Sequence, residues 1–197
     1  VSAIWSLGVT LPQPFFSVYF VSQLHGPEHM WTIVASIEIG FLLIGQRYWG
    51  PLVDRFGAHR IMTISGIGAS SVPLFWWLAP SWGYLCLFNI ISGFLWAGYN
   101  LGAFNLLLQA TPRSQRAMYV ALYNGIIGIS AAIAPLAGGV IADYTSIRLV
   151  LLLSWLLRST GWLLLSYIVH PPAGRSMRPA DLLPNSLRLR HKKVAKR

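Results

Sequence analysis

The stretch Gly50–Arg60, GPLVDRFGAHR, decides how this chain is read. It lies between two long apolar runs and gathers unlike chemistry into a short space. Gly50 and Gly57 permit tight or left-handed backbone, and Pro51 fixes φ where a helix ends or restarts. Asp54, Arg55, His59 and Arg60 carry polar groups that hydrocarbon does not tolerate unpaired. The stretch is therefore expected to be a short basic loop at a membrane surface, joining two apolar helices.

Composition points the same way. Of 197 residues, 55% are hydrophobic and 10% charged, and mean hydropathy is +0.56. Soluble domains carry about a quarter charged residues, so a membrane protein is expected. The 9 Trp, 8 Tyr and 9 Phe fit rings that favour the membrane interface. A net charge of +10 raises nucleic acid as a partner. However, eight of the fifteen basic residues (Arg175, Arg178, Arg188, Arg190, Lys192, Lys193, Lys196, Arg197) occupy the last 23 positions. The remainder carries seven basic and four acidic residues, so no nucleic-acid partner is expected. Cys86 is the single cysteine; it sits in an apolar run and is read as a small buried hydrophobe. No charged region precedes the first apolar run, so no signal peptide is read there. The start at Val1 suggests a fragment or an unusual start.

A membrane-spanning helix needs about 20 mostly apolar residues. Six segments meet that length: Ser2–Val21, Trp31–Trp49, Ile61–Ala79, Trp82–Leu108, Met118–Ala142 and Ile147–Val169. They lack the polar face that a water-soluble bundle needs. The expected fold is an all-α integral membrane bundle of six transmembrane helices over residues 1–169. Residues 170–197 form a basic tail, expected to be disordered. That tail either enforces topology or touches anionic lipid of the bilayer. Arg55, Arg60, Arg113, Arg116 and the eight tail residues fall on one side of the zigzag, against Arg148 alone on the other. By the positive-inside rule the basic loops and tail are cytoplasmic, in a multi-pass protein of the cell (inner) membrane.

Gly50-Pro-Leu-Val-Asp54 is echoed three helices later by Gly139-Val-Ile-Ala-Asp143, and each is followed by an arginine, Arg60 or Arg148. Copies separated by three helices lie on opposite membrane faces, the pattern of a 3+3 inverted repeat. GPLVDRFGAHR also resembles the signature loop of the major facilitator superfamily, G-x-L-x-D-R-x-G-x-R-[RK]. Gly50, Leu52, Asp54, Arg55, Gly57 and Arg60 match, in the right place between second and third helices. A second family motif on the fifth helix, G-x8-G-x3-G-P-x2-G-G, aligns with Ala121, Ser130, Ala134, Pro135, Gly138 and Gly139. Its first three glycines are replaced by small residues, which keeps close packing and weakens the antiporter signature. The arginine motif on the fourth helix of the family's N-terminal half has no arginine here; Asn89 stands roughly in its place. With PFFSVYF and WAGYNLGAFNLLLQATP, the chain resembles the C-terminal six-helix half of a twelve-helix transporter.

The resemblance implies transport of a small solute by alternating access, with Gly50, Asp54, Arg55, Gly57 and Arg60 as a conformational gate. The partner would be the missing N-terminal half or a second copy of this chain. An inactive fragment or a non-transport membrane scaffold is the competing class.

Ionisable residues inside hydrocarbon are functional candidates. Glu38 is either a protonatable carboxylate, with H+ as coupling ion, or a carboxyl bonded to polar neighbours near the interface. Arg158 is read as a structural, paired or snorkelling cation, and the two can face each other. Gln13 between Pro12 and Pro14, together with Asn89, Asn100, Asn105, Tyr123 and Asn124, either lines a substrate pathway or makes interhelical hydrogen bonds. His25 and His29 flank Gly-Pro, which spoils a helical metal pair. No metal, cofactor or catalytic set is expected, so the chain is not read as an enzyme.

Overall fold

Two prolines decide the first element. Pro12 and Pro14 cannot donate to a helical ladder, and the expected run Ser2–Val21 is broken into α1, Ser2–Thr10, and α2, Phe15–Ser22. The computed structural model describes residues 2–168. After the broken pair come α3, Glu28–Phe56, α4, Ala58–Trp77, and α5, Trp82–Ala110. A 3-10 turn at Arg113–Gln115 leads into α6, Arg116–Tyr144, and α7, Ile147–Ile168, closes the bundle. The described residues are all-α. Four helical segments (α3, α5, α6 with its leading turn, and α7) are long and apolar enough to cross a membrane. The expected tail, 170–197, lies outside the described residues.

The signature stretch is not a loop. Gly50–Phe56 continues α3 by two turns beyond the expected end at Trp49, and Ala58–Arg60 already belongs to α4. Only Gly57 stands between the helices, at φ +90° and ψ 148°, a backbone that other residues rarely adopt. The apolar positions explain why the helix does not stop. Leu52, Val53 and Phe56 are buried with Trp49, Ala58, Ile61 and Ala97, so the last turns of α3 gain a core of their own. At 29 residues α3 is about 43 Å long, more than the hydrocarbon thickness of a bilayer.

The helices pack through close approaches. α3 and α5 run in parallel: Val34 meets Asn89, Glu38 meets Ser92 and Gly93, and Gly45 meets Ala97. A Cβ added to Gly93 would collide with the Glu38 carbonyl and come within 3.0 Å of the Leu42 nitrogen. α4 runs antiparallel to both α5 and α7, with Gly102 against Met62, and Trp162 Nε1 donating to the Thr63 carbonyl at 2.9 Å. α1 is wedged between α6 and α7. In the absence of a hydrophobic drive within lipid, such small-residue contacts hold helices together. Ser130, Ala134 and Gly138 form a buried stripe of α6 that faces α1. Outer faces of α3 (Ile39, Leu43, Ile44) and α6 (Leu122, Ile129, Ile133, Leu136, Val140) remain exposed and apolar.

Gly93→Ala is expected to lower the thermal midpoint of the detergent-solubilised protein by several degrees, since overpacking costs about 1–3 kcal/mol. Gly40→Ala, where a Cβ meets nothing within 4 Å, is expected to leave that midpoint unchanged. Thermal unfolding followed by tryptophan fluorescence compares the two.

Candidate functional site

The break between α1 and α2 opens beside α3, α4, α5 and α7 onto a cavity of ≈ 400 Å³. Its walls are largely aromatic: Phe16, Trp31, Trp76 and Trp96. Gln13, Glu38, Asn89 and Arg158 supply the polar groups. Gln13 reaches the cavity because the intervening residue of the Pro12–Pro14 turn faces out of both helices, and it is exposed.

Glu38 sits mid-way along α3, where its Oε1 accepts a 2.7 Å hydrogen bond from the Ser92 hydroxyl of α5. Asn89, one turn before Ser92, is 2% exposed and donates from Nδ2 to the Val34 carbonyl at 3.2 Å. Its Oδ1 is buried without a hydrogen-bond partner, an uncommon state for a polar atom. Arg158 is also 2% exposed. It donates from Nε to the Gly8 carbonyl at 3.1 Å, from Nη1 to Ala69 at 3.3 Å and from Nη2 to Val9 at 3.4 Å. Its Cζ lies 5.6 Å from the Trp96 ring centroid, within cation–π range. A carboxylate and a guanidinium thus face one cavity, Glu38 half-buried and held by Ser92, Arg158 buried and held by backbone carbonyls of α1 and α4.

The remaining positions do not gather there. Tyr123 lines a separate, smaller cavity of ≈ 190 Å³ with Trp5, Met62 and Tyr99. Asn105 donates back to the Leu101 carbonyl of its own helix at 2.9 Å, while Asn100 and Asn124 are exposed. Of the hinge residues, Asp54, Arg55 and Gly57 are exposed, and Gly50 and Arg60 are half-buried. Arg55 stacks on Phe56, its Cζ 5.1 Å from the ring centroid. In the α6 motif Ser130, Ala134 and Gly138 are buried, Pro135 and Gly139 are half-buried, and Ala121 is exposed. Among the described residues, no three His, Cys, Asp or Glu come together as a metal site would require.

Comparison with known proteins bears on this arrangement. Residues 1–196 match the profile of the Major Facilitator Superfamily. The chain belongs to that family. Its members are transporters rather than enzymes, and the chain is a multi-pass integral membrane protein. Multidrug resistance protein MdtG of Salmonella choleraesuis (strain SC-B67) is 33% identical over 147 residues, covering 71% of this chain and 35% of the relative. MdtG of Salmonella dublin is 30% identical over 169 residues, covering 82% and 41%. MdtG of Citrobacter koseri is 33% identical over 147 residues, covering 71% and 35%. The chain therefore spans 35–41% of the length of these curated relatives.

Within this member of the superfamily, the aromatic walls and Ser92 escaped the sequence reading. A signal was present for part of them: Asn89, Ser92 and Trp96 follow i, i+3, i+7 spacing and share one face of α5. Trp31 and Trp76 come from other helices, and no local spacing links them to that face. Asn89→Leu removes a hydrogen bond and an unpartnered acceptor together, so it is expected to change stability by less than about 1 kcal/mol. Ser92→Ala leaves the half-buried Glu38 carboxylate without its donor and is expected to lower stability more, by about 1–3 kcal/mol. Thermal unfolding of the two variants in the same detergent ranks them.

Proposed function

We propose that this chain is one six-helix half, most like the C-terminal half, of a secondary transporter that moves a small solute across the cell (inner) membrane. The observation that carries the reading is the gathering of Glu38, Asn89 and Arg158 around one cavity inside an otherwise apolar bundle. Polar groups at that depth are expensive and persist where a solute or ion path needs them. The missing half would cover the apolar outer faces of α3 and α6, and a second copy of this chain is the alternative cover. The two halves would rock about a site at their junction. The relatives' name, multidrug resistance protein, supports a cargo of more than one compound, which suits an aromatic cavity that grips by area rather than by a fixed hydrogen-bond pattern.

Residues 1–169 act in this reading as the six-span unit, with the α1–α2 pair counted as one span and α4 as another. The GxxxD copies close α3 and α6 at opposite ends of the bundle, which supports a 3+3 inverted repeat. Arg55, Arg60, Arg113 and Arg116 lie at the end shared by the α3–α4 and α5–α6 junctions, and Arg148 at the other. That supports a cytoplasmic hinge. The hinge acts as the gate: Asp54 makes its electrostatic contact in one conformation only. Glu38 serves as the carboxylate that binds H+ during the cycle. The competing reading, a non-transport fragment, draws on the chain's span of its relatives.

The test uses the intact protein in proteoliposomes, a panel of drugs and amphipaths, and an imposed proton gradient. Gradient-driven movement of at least one compound is expected, and its absence across the panel would favour the fragment reading. Glu38→Gln is expected to cut gradient-driven transport at least tenfold while exchange without a gradient survives. Asp54→Asn is expected to reduce transport several-fold with a thermal midpoint within about 2 °C of the parent, since an exposed charge contributes little to stability.

A further inference from the structure

The hydrogen bonds of Arg158 have their cause in two other helices. In an α-helix the carbonyl of residue i accepts from the N–H of residue i+4. Four residues after Gly8 stands Pro12, and four after Ala69 stands Pro73; neither has an N–H to give. Four after Val9 stands Gln13, whose N–H turns instead to the Thr10 carbonyl at 3.2 Å. Three carbonyls on α1 and α4 thus lack their ladder donors in a region where water does not replace them. These are the three that Arg158 takes. Ser154, one turn earlier on α7, adds a 2.6 Å bond to Gly8. The helices are close here: a Cβ on Gly8 would come within 2.9 Å of the Arg158 backbone nitrogen and 3.0 Å of its Cγ.

We propose that Arg158 is a positioning residue, supplying from α7 the backbone donors that Pro12 and Pro73 lack. It thereby holds the α1–α2 break and upper α4 in the shape that presents Gln13 and Trp76 to the cavity. A guanidinium suits the task because its five N–H groups diverge from one rigid plane, here lying over Trp96. The backbone, rather than Glu38 or an anionic solute, is the partner that fixes Arg158. The functional meaning rests on the cavity being the solute compartment, whereas the test below needs no solute.

Two double-mutant cycles on the intact, detergent-solubilised protein separate the backbone role from a counter-ion role. Arg158→Met is expected to lower the thermal midpoint by about 5 °C or more, from the loss of several charge-assisted hydrogen bonds. Combined with Pro12→Ala and Pro73→Ala, which restore the missing donors, the same substitution is expected to lower it by less than half as much. Combined with Glu38→Gln, the full loss is expected to remain. Rescue by Glu38→Gln without rescue by the proline replacements would overturn the proposal. If Arg158→Met does not accumulate, Arg158→Gln and Arg158→Lys ask the same question. Gln, a neutral donor of two N–H groups, is expected to retain more stability than Met. A Gln variant as unstable as Met beside a Lys variant equal to the parent would make charge the determinant and overturn it. Positioning is read by labelling Gln13→Cys with a water-soluble maleimide in a Cys86→Ser background. Arg158→Gln is expected to change the labelling rate at least threefold, whereas Gly102→Ala, which overpacks α5 against Met62 of α4 and touches none of the cavity lining, leaves it unchanged. An unchanged rate in Arg158→Gln would reduce Arg158 to general stabilisation. Neither readout measures transport, so failure of the transport assay leaves these outcomes standing.

Discussion

Backbone carbonyls inside a bilayer must find donors within the protein, because no water stands in for them. That constraint explains more of this bundle than any side-chain pair. Pro12 and Pro73, like Pro51 in α3 and Pro135 in α6, remove a donor that a helix would have used. At Pro12 and Pro73 the bundle answers by bringing one guanidinium across from α7. α1 and α4 both pack along α7, and this one side chain joins them to it at the level where their own ladders lack donors. Trp5 and Gly161 meet on the N-terminal side of that level, and Ser154 and Gly8 meet at it. Thr10 continues the tie to α6: its hydroxyl lies 2.8 Å from the Ser6 carbonyl and 3.0 Å from that of Ser130.

The cavity follows from this tie and from a second contact, the close crossing of α3 and α5. Gly93 brings the two backbones nearly into contact, which sets the Glu38 carboxylate against the Ser92 hydroxyl. A wider crossing would leave the carboxylate in hydrocarbon with no donor. The broken α1–α2 pair forms the other side, and large rings fill the walls between. One side of the compartment is thus held by a crossing of backbones and the other by a side chain serving backbones. In the proposed transport reading, the exposed Gln13 amide and the half-buried Glu38 carboxylate are the polar groups that meet a solute, while Asn89 Oδ1 stays buried.

Much of this was legible in the sequence. Apolar run lengths marked the helices, and α5, α6 and α7 begin or end within about two residues of the expected positions. Glu38, Asn89 and Gln13 stood out because polar groups in such runs need a reason. The break in the first run was marked by its prolines, yet length alone made it look continuous. The signature stretch misled for a physical reason. Charged residues and a proline read as a loop, but Leu52, Val53 and Phe56 recur at helical spacing and bury a face, and that burial carries the helix past the bilayer. The role of Arg158 was out of reach, because it depends on carbonyls 89 to 150 residues away. Only the fold brings the chain's missing donors and its spare donors together.

The single residue between α3 and α4 has a mechanical consequence. Gly57 donates to the Val53 carbonyl at 2.9 Å and accepts from Ile61 at 3.4 Å, so the ladder is fastened immediately on either side. There is no slack to take up: the two rods share an axle rather than a tether. Any change in the angle between them must turn on the φ and ψ of one glycine. Their far ends then sweep an arc set by helix length, and a few degrees at the axle become ångströms where Glu38 and Trp76 face the cavity.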